Sequence, residues 1–427
     1  MNIVVVLLAA AAVLFVAYFS YGTLLARLFK LDAKTVTPAV ELQDDVDYVP
    51  IEPKFLLGQH FSAIAAAGPI VGPIVAGVMF GWAPALLWII IGSIFVGGVH
   101  DFSTLVASIR HKAHSITEVV KEYMTKRAFL LFLVFIWLTL VYIIVAFTDI
   151  TSSSFVGLVS LESGETVKGG AIASSSLMYL ALPILMGLLM KYGKLSLLWA
   201  TVIFLPLVGV AIWAGKYIPF SVDDIVLRMG LASDPVSAQR LGIKIWDVLL
   251  LMYCYLAALV PMWMLLQPRG HLGGFFLYAA LLGGGLGLIL SGAPVKYPAF
   301  VSANSGTIFP MLFILIACGA CSGFHAIVSS GTTSKQLKRE TDAKVIGYGA
   351  MLLEALVAVV ALCCVIMLAQ DNTLIKKPPN FIYANGISRF LGVFGIPAGF
   401  GISFGLLAFT TFVYDTLDVC TRLGRYI

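Results

Sequence analysis

Residues 58–77 read GQHFSAIAAAGPIVGPIVAG, with two Gly-Pro pairs four residues apart inside an apolar run of membrane-spanning length. Pro69 and Pro73 each lack a backbone donor, and Gly68 and Gly72 leave the chain loose. Backbone groups freed at membrane depth are tolerated only where protein or a water-filled cavity satisfies them. The stretch therefore predicts either a kinked, glycine-packed helix or a broken helix that forms part of a binding site.

The composition is that of an integral membrane protein. The 427 residues are 60% hydrophobic and 11% charged, with a mean hydropathy of +0.99. Apolar runs of about 20 residues recur along the chain, enough to cross a hydrocarbon core of ~30 Å as helices. We therefore predict an all-α polytopic membrane protein in contact with lipid. The net charge of +5 is a topology signal and gives no support to nucleic-acid binding.

Charged, Pro-rich and Gly-rich interruptions divide the chain into about eleven predicted spans. They lie near residues 2–29, 60–80, 83–108, 128–158, 171–191, 195–214, 246–267, 273–292, 307–330, 344–370 and 395–416. About two thirds of the 27 Lys and Arg residues, Arg269 among them, fall on one side of this arrangement, which places that side in the cytoplasm. The N-terminus is then outside, and residues 417–427 form a cytoplasmic tail. The first span lacks a basic n-region, so it is predicted to be a retained helix.

A second proline, Pro261, interrupts the predicted span 246–267. With the N-terminal helix over 1–30 set aside, the other ten spans form one repeat over 58–214 and another over 246–416, joined by an outer loop over 215–245. Each repeat begins with a Pro-broken helix, and five spans per repeat require opposite insertion. This pattern indicates a secondary transporter with its site at the bilayer midplane. The candidate substrate-binding residues are Gly68, Pro69, Gly72, Pro73, His60, Pro261 and Trp263.

Ionisable residues inside spans are costly in lipid and mark candidate functional sites. His100, Asp101, His325 and Glu354 are such residues. A histidine beside a carboxylate can load and release protons at physiological pH. We predict that the four couple transport to protons, against the alternative that each only bonds to a neighbouring helix.

Ser329 and Ser330 lie near the cytoplasmic end of their span, where their hydroxyl oxygens could form a sodium site opposite a broken helix. The alternative is a Ser/Thr-rich helix end that bonds its own backbone. No organic cofactor is expected, and the coupling ion is predicted to be H⁺ or Na⁺.

Asp415 and Asp418 lie near the end of the last span, where pairing with Arg422 and Arg425 is the simplest expectation. No Lys or Arg falls in the middle of a predicted span. A small carboxylate substrate would therefore be bound by backbone amides at the N-termini of broken helices.

Functions of other classes are alternatives. His60, His100 and His325 could bind haem or a metal in a membrane enzyme. A sensor or receptor would need a cytoplasmic signalling domain, and the longest cytoplasmic connection is the segment over 30–57. The six cysteines fall inside predicted spans, which argues against a disulfide framework and favours buried small apolar residues. A transporter without enzymatic activity is preferred.

The chain resembles the carbon starvation protein family over nearly its whole length. The resemblance is carried, in colinear order, by residues 58–124, which include GGVHDFSTLVASIRHKAHSITE, and by LVPMWMLLQPRG (259–270), ACGACSGFHAIVSSGTTSKQL (317–337), IGYGAMLLEALVAV (346–359) and DTLDVCTRLGRY (415–426).

That resemblance implies import of pyruvate, or alternatively of peptides, by proton or cation symport across the inner membrane of a prokaryote. It also implies a LeuT-like five-plus-five inverted fold, in which Ser329 and Ser330 lie on the eighth of ten helices. Members of that family continue past the segment that matches 415–426. The chain is therefore expected to be a short member or a piece of a longer protein.

Overall fold

The computed structural model describes residues 2–65, 67–160, 166–301 and 308–426. Residues 93–97, 329–333 and 344–349 form π-helical turns, and residues 340–342 and 373–376 form 3-10 turns. Two short strands, β1 (Leu158–Ser160) and β2 (Thr166–Lys168), pair antiparallel. The α-helices are α1 Ile3–Phe19, α2 Tyr21–Leu28, α3 Pro38–Glu41, α4 Pro53–Ile64, α5 Gly68–Phe80, α6 Trp82–Gly92, α7 Gly98–Arg110, α8 Ile116–Lys121, α9 Lys126–Ser154, α10 Gly169–Lys191, α11 Leu197–Gly215, α12 Val222–Arg228, α13 Pro235–Leu259, α14 Leu266–Ser291, α15 Ile308–Leu315, α16 Ala317–Cys321, α17 Gly323–Val328, α18 Ala350–Ile366, α19 Pro379–Gly392 and α20 Ala398–Tyr426.

Within these described ranges, nine helical segments are long and apolar enough to cross a membrane, or ten if the bent pair α4 and α5 is one span. The protein is therefore a polytopic helical membrane protein. The predicted count of eleven is not reached, because residues 308–333 divide into the short helices α15, α16 and α17 and a π-helical turn. The first residue of that predicted span, 307, lies outside the described residues.

Burial separates central helices from peripheral ones. The most apolar windows of residues 340–366 and 398–425 are 89% and 83% buried, whereas that of α9 is 11% buried. Leu131, Phe135 and Tyr142 of α9 are exposed, and exposed apolar residues of this size are stable where they face lipid. The helices α18 and α20 therefore form the centre of the bundle, and α9 lies at its lipid-facing edge.

The first break lies before the Gly-Pro pairs. The helix α4 ends at Ile64, α5 begins at Gly68, and the two axes are bent by 47°. Pro69 is the second residue of α5, where its missing N–H leaves no hydrogen bond unmade. Pro73 lies inside α5. The helix α4 also begins at Pro53, seven residues before the predicted start, so His60 lies within it.

The predicted broken span 246–267 is not one helix. The helix α13 begins at Pro235, where Asp234 and Ser237 form a capping box, and ends at Leu259. Val260 has extended backbone angles because the residue before a proline is driven out of the helical region, so Pro261 ends α13. Pro268 stands in the first turn of α14, where proline is tolerated, so it belongs to the start of the next helix rather than to the end of this one.

The second broken element is residues 308–333. Ser322, between α16 and α17, has φ −61° and ψ 119°, which interrupts the helix. The element packs on α5 through glycines: a Cβ at Gly72 would lie 2.1 Å from the carbonyl oxygen of Leu315, and one at Gly68 would lie 2.3 Å from Cys318 Sγ. The first broken helix therefore contacts this element directly.

Two other boundaries differ from the predictions. The outer loop predicted over 215–245 contains α12 and the first turns of α13. The tail predicted over 417–427 continues α20 through Tyr426, with Asp418 and Arg422 buried among partners on other helices. Polar residues near a helix end looked like a solvated tail in the sequence, whereas the fold covers them with other helices.

Candidate functional site

Close helix packing brings polar side chains together inside the bundle. Gly97 precedes α7, and a Cβ there would lie 2.4 Å from the carbonyl oxygen of Ala320. Gly347 precedes α18, and a Cβ there would lie 2.9 Å from the Cα of Phe102. Glycine permits such approaches, and both glycines lie in π-helical turns, which are frequent at functional sites.

The histidine–carboxylate cluster consists of Asp101 on α7, His325 on α17 and Glu354 on α18, all with fully buried side chains. Nδ1 of His325 lies 2.9 Å from Oδ2 of Asp101, and Nε2 of His325 lies 3.2 Å from Oε2 of Glu354. His100, whose side chain is 38% exposed, lies 3.0 Å from the other oxygen of Asp101. The structure thus brings all four predicted proton-coupling residues together.

This cluster has unsatisfied polar atoms. The contact between His325 and Glu354 has an ion-pair distance but not the geometry of a hydrogen bond. Nε2 of His325 and both carboxylate oxygens of Glu354 therefore lack a hydrogen-bond partner among the described residues. Buried polar groups are nearly always paired, so these atoms are candidates for binding a proton or a ligand.

A metal ion is one ligand that the cluster could hold. The ligand atoms of Cys318, His325 and Glu354 lie within 4.8 Å of one another. Thiolate, imidazole and carboxylate are ligands of zinc, and Asp101 on Nδ1 would orient the histidine as carboxylates do in metal sites. His60 and His100, the other histidines of the predicted haem or metal site, are not in this group.

His60 lies in a separate position on α4 and is 1% exposed. Its Nδ1 lies 2.8 Å from Oγ1 of Thr333, and its Nε2 has no hydrogen-bond partner among the described residues. His60 also lines a cavity of about 10 Å³, room for one water, together with Gln59 and Asp415. This small cavity connects His60 to a second charged cluster.

The arginine–aspartate cluster is the feature that the sequence did not predict. Arg269 on α14 is fully buried. Its Nε donates to Oδ1 of Asp415 at 2.6 Å, and its Nη1 lies 2.7 Å from Oδ2 of Asp418. Tyr253 accepts from the same Nη1 and donates to Oδ2 of Asp418 at 3.1 Å, and Ser62 donates to Asp415. The cluster therefore joins α4, α13, α14 and α20.

Two expectations are corrected by this cluster. Arg269 is not a surface charge of a connecting loop, since it lies in the first turn of α14 and is enclosed by other helices. Asp415 and Asp418 pair with Arg269 rather than with Arg422 or Arg425. One signal in the sequence could have revealed the buried arginine–aspartate pairing. Two aspartates three residues apart share one face of a helix, and buried acids require a counter-charge.

A larger cavity of about 450 Å³ lies next to these residues. Trp263, a predicted substrate-binding residue, lines it, as do Gln59, Gln267 and His271. Nζ of Lys191 lies 4.1 Å from the centre of the Trp263 ring. Gln59 also lines the small cavity, so the two cavities share this residue. We call the larger one the vestibule.

A charged pair stands at the edge of the vestibule. Glu52 and Lys338 both line the vestibule and are about half exposed. Nζ of Lys338 lies 2.5 Å from Oε1 of Glu52. A hydrogen bond from Lys338 lowers the pKa of Glu52 below its ordinary value. The segment before Glu52 is also fixed to the opposite chain segment, because Ile51 N donates to the carbonyl of Gln336 at 3.1 Å.

The remaining predicted residues lie at helix contacts or in turns. Pro261 is in the connection between α13 and α14, where its carbonyl accepts from Met264 N. Ser330 donates to Ala326 O at 2.7 Å and accepts from Ile116 N, as in a helix end that bonds backbone. The hydroxyl of Ser329 is buried without a partner among the described residues. The sodium site therefore stays a prediction, with Ser330 engaged elsewhere.

The glycines and prolines of the first predicted broken span also lie where helices pack against each other. Gly68 and Gly72 contact the broken element 308–333, and Pro69 lies against Gly319 of α16. All six cysteines are free, and four of them are buried. The assignment of Gly68, Pro69, Gly72 and Pro73 to substrate binding stays a prediction.

The fold is a bundle of membrane-spanning helices with a broken helix and two buried clusters of ionisable residues. Such buried ionisable groups are characteristic of the class of membrane proteins in which charged residues inside the bilayer serve a function. Within that class, the chain belongs to the carbon starvation protein family. The family model described as carbon starvation protein CstA matches residues 2–385. The predicted resemblance is thereby confirmed.

Curated relatives carry two kinds of name. A peptide transporter CstA of Helicobacter pylori (strain J99 / ATCC 700824) is 36% identical over 85% of this chain and 51% of its own length. A pyruvate/proton symporter BtsT of Escherichia coli (strain K12) is 36% identical over 84% of this chain and 48% of its own length. A peptide transporter CstA of Bacillus subtilis (strain 168) is 32% identical over 100% of this chain and 74% of its own length. The chain spans about half the length of the first two. No solved structure matches it.

Proposed function

We propose that the protein is a secondary active transporter that imports pyruvate or a similarly small carboxylate by proton symport. The observation that carries this proposal is the buried cluster of Asp101, His325 and Glu354 inside a membrane-spanning bundle. Ionisable groups at such positions mark ion and proton pathways. The relative described as a pyruvate/proton symporter supports the choice of substrate and ion.

His325 is the central residue of the proposed coupling step. It lies between two carboxylates, with one ring nitrogen held by Asp101 and the other directed at Glu354. Imidazole can carry a proton on either nitrogen or on both, so a proton can pass between Glu354 and His325 while Asp101 keeps the ring oriented. His100, half-buried beside Asp101, is the proposed connection to water.

Alternating access is the proposed mechanism, with the broken elements 53–80 and 308–333 moving against the rest of the bundle. The LeuT-like five-plus-five arrangement rests on the family resemblance alone, because the second break is at Ser322 and not in 246–267. The proposed location is the inner membrane of a prokaryote, with the N-terminus outside and the C-terminus inside. Ser329 could contribute to a sodium site if Na⁺ replaces H⁺.

Uptake of labelled pyruvate into proteoliposomes tests this proposal. A pH gradient, acidic on the outside, should drive accumulation, and a sodium gradient at equal pH should not. The His325→Gln variant should lose accumulation while it elutes as wild-type protein from a size-exclusion column. Absence of pyruvate uptake under every gradient would exclude the proposal.

Peptide import is the second candidate, and the vestibule favours it specifically. Its volume of about 450 Å³ is within the range of small-molecule sites and is larger than pyruvate needs, and Trp263 and Phe55 supply aromatic walls. The relatives from Helicobacter pylori and Bacillus subtilis are described as peptide transporters. Accumulation of a labelled dipeptide in the same vesicles, without pyruvate uptake, would select this candidate.

A metal-dependent membrane enzyme is the remaining alternative, and the ligand group of Cys318, His325 and Glu354 is the observation that favours it. Metal analysis and an absorbance spectrum of the purified protein test it. A stoichiometric metal that the Cys318→Ser variant loses would support the alternative. Metal-free protein that transports pyruvate would exclude it.

A further inference from the structure

Arg269 has one unused donor group inside the bundle. Its Nε and Nη1 bind Asp415, Asp418 and Tyr253, but its Nη2 has no hydrogen-bond partner among the described residues, and neither has Oδ1 of Asp418. The side chain is fully buried. A buried guanidinium with an unused N–H group can accept one more anionic partner, and a carboxylate is the partner that fits it best.

The surroundings of this cluster connect it to the vestibule. Asp415 lines the small cavity with Gln59 and His60, and Gln59 also lines the vestibule. Oε1 of Gln59 and Nε2 of His60 are buried without hydrogen-bond partners among the described residues. Arg269 lines neither cavity, but its partner Asp415 lines the small one, and four unpaired polar atoms thus belong to Arg269, Asp418, Gln59 and His60 in this part of the bundle. Gly270, at the start of α14 and close to the 260–265 connection, also lines the small cavity.

The charges of the cluster restrict what can enter it. Arg269 carries one positive charge and its two aspartates carry two negative charges, so the cluster holds one net negative charge. Arg422 also acts electrostatically on Asp418 and pairs with Asp47 at 3.7 Å, so counting Arg422 and Asp47 together leaves this net charge unchanged. A second anion would raise the buried charge to two, and uncompensated buried charge is strongly unfavourable. The ionisable groups that face the two aspartates are Arg269 from α14, Tyr253 and Cys254 from α13, Tyr179 from α10, His60 from α4, and Tyr414 and Arg422 from α20 itself.

We propose that Arg269 binds the carboxylate of the transported substrate and that one proton enters the arginine–aspartate cluster with it. The proton binds Asp418, whose Oδ1 is unpaired, so the charge of the cluster stays at one negative. Carboxylate and proton are therefore taken up together. This inference rests on the proposed transport function and names the recognised group, a carboxylate, which pyruvate and the C-terminus of a peptide share.

The wild-type protein provides the first test. Unlabelled pyruvate and its neutral amide are compared as competitors of labelled pyruvate in proteoliposomes, and the peptide arm compares a dipeptide with its C-terminal amide. Loss of a charge-assisted hydrogen bond should weaken the neutral competitor by at least about tenfold. Equal competition by the acid and the amide would overturn the inference.

Variants of the cluster give the second test. Arg269→Lys keeps the charge but not the fork of donors, so the KM for pyruvate should rise by at least about tenfold while the maximal rate changes less. Asp418→Asn imitates the protonated residue, so it should still exchange pyruvate across the membrane but lose proton-driven accumulation. Arg240→Lys, an exposed position on α13, is the matched control and should behave as wild type. Wild-type KM in Arg269→Lys, or wild-type accumulation in Asp418→Asn, would refute the assignment.

Direct binding separates this inference from the transport proposal. Calorimetry of the purified wild-type protein with pyruvate and with its amide needs no transport. Binding of the acid alone, without uptake into vesicles, would support the carboxylate site and refute the transport function. Uptake that the amide inhibits as well as pyruvate does would support transport and refute the role of Arg269. If the variants do not fold, the comparison of the acid with the amide on wild-type protein still tests whether a carboxylate is recognised.

Discussion

Replacing Gly273 by alanine should disturb the arginine–aspartate cluster from outside its charged residues. Gly273 lies in α14, four residues after Arg269, and has no side chain. A Cβ at this position would lie 2.4 Å from Oδ2 of Asp415 and 2.5 Å from Oγ of Ser62. For Gly285, on the same helix, no described atom of another element lies within 4 Å of the place that a Cβ would take, so Gly285→Ala is a matched control.

The size of the effect follows from these distances. Ordinary contacts of a Cβ begin at 3.4 Å, so the carboxylate of Asp415 must retreat by about 1 Å, which is enough to break the hydrogen bond that it accepts from Nε of Arg269 at 2.6 Å. Loss of a hydrogen bond to a charged group costs ~1.5–3 kcal/mol. Alanine in place of glycine in a helix stabilises by up to ~1 kcal/mol. The free energy of unfolding of Gly273→Ala should therefore fall by about 1–2 kcal/mol, whereas Gly285→Ala should be unchanged or slightly more stable.

Thermal denaturation in detergent, followed by size-exclusion chromatography of the remaining folded protein, measures the difference between the two variants. Gly273→Ala should melt at a lower temperature than wild type and should also lose most of its pyruvate accumulation, since Asp415 holds Arg269 in position. Gly285→Ala should match wild type in both assays. Equal melting temperatures of the two alanine variants would show that α14 packs less tightly against Asp415 and Ser62 than these distances require.

Three further outcomes are expected. Asp101→Asn should reduce proton-driven accumulation by at least about tenfold, because His325 loses the carboxylate on its Nδ1, while exchange across the membrane persists; unchanged accumulation would contradict the coupling role. Cys318→Ser should leave accumulation within about twofold of wild type if no metal is needed there, and a larger loss together with loss of bound metal would favour the metal alternative. Lys338 lowers the pKa of Glu52 below its ordinary value. The pair therefore stabilises the fold at pH values above that ordinary pKa, and this contribution disappears as the pH falls through the lower pKa of the folded state. Melting temperatures of Glu52→Gln and wild type should thus differ slightly at neutral pH and converge in acid, and a difference independent of pH would refute the pairing.

The sequence allowed much of the histidine–carboxylate cluster to be predicted. His100, Asp101, His325 and Glu354 stood out because each is an ionisable residue within an apolar run, which is a local property. Their mutual contacts could not be predicted, because the segments that carry Asp101 and His325 are 224 residues apart. Glycines such as Gly97 and Gly347 permit the approach, but the sequence does not say which helix comes close.

Arg269 could not be assigned correctly because its neighbours are misleading. Pro268 looked like the end of a span, and a basic residue after a span end looks like a loop charge. The structure begins a helix there instead, and Asp415, 146 residues away, encloses the guanidinium together with Tyr253. The helix is interrupted at Pro261 as predicted, but the structure has two helices there instead of one broken span, since a proline can end one helix or bend a single one.

The amino-acid sequence by itself determined that this protein is a helical membrane protein of the carbon starvation family with ionisable residues inside its spans. Hydropathy, proline and glycine positions and family motifs are properties of short segments, so they can be read without a fold. Only the tertiary structure decided that Arg269 neutralises one of two buried aspartates, that the second break lies at Ser322 and that Gln59 lines two cavities. These features depend on which distant helices pack together, and the cost of burying a charge is known only when its partners are known.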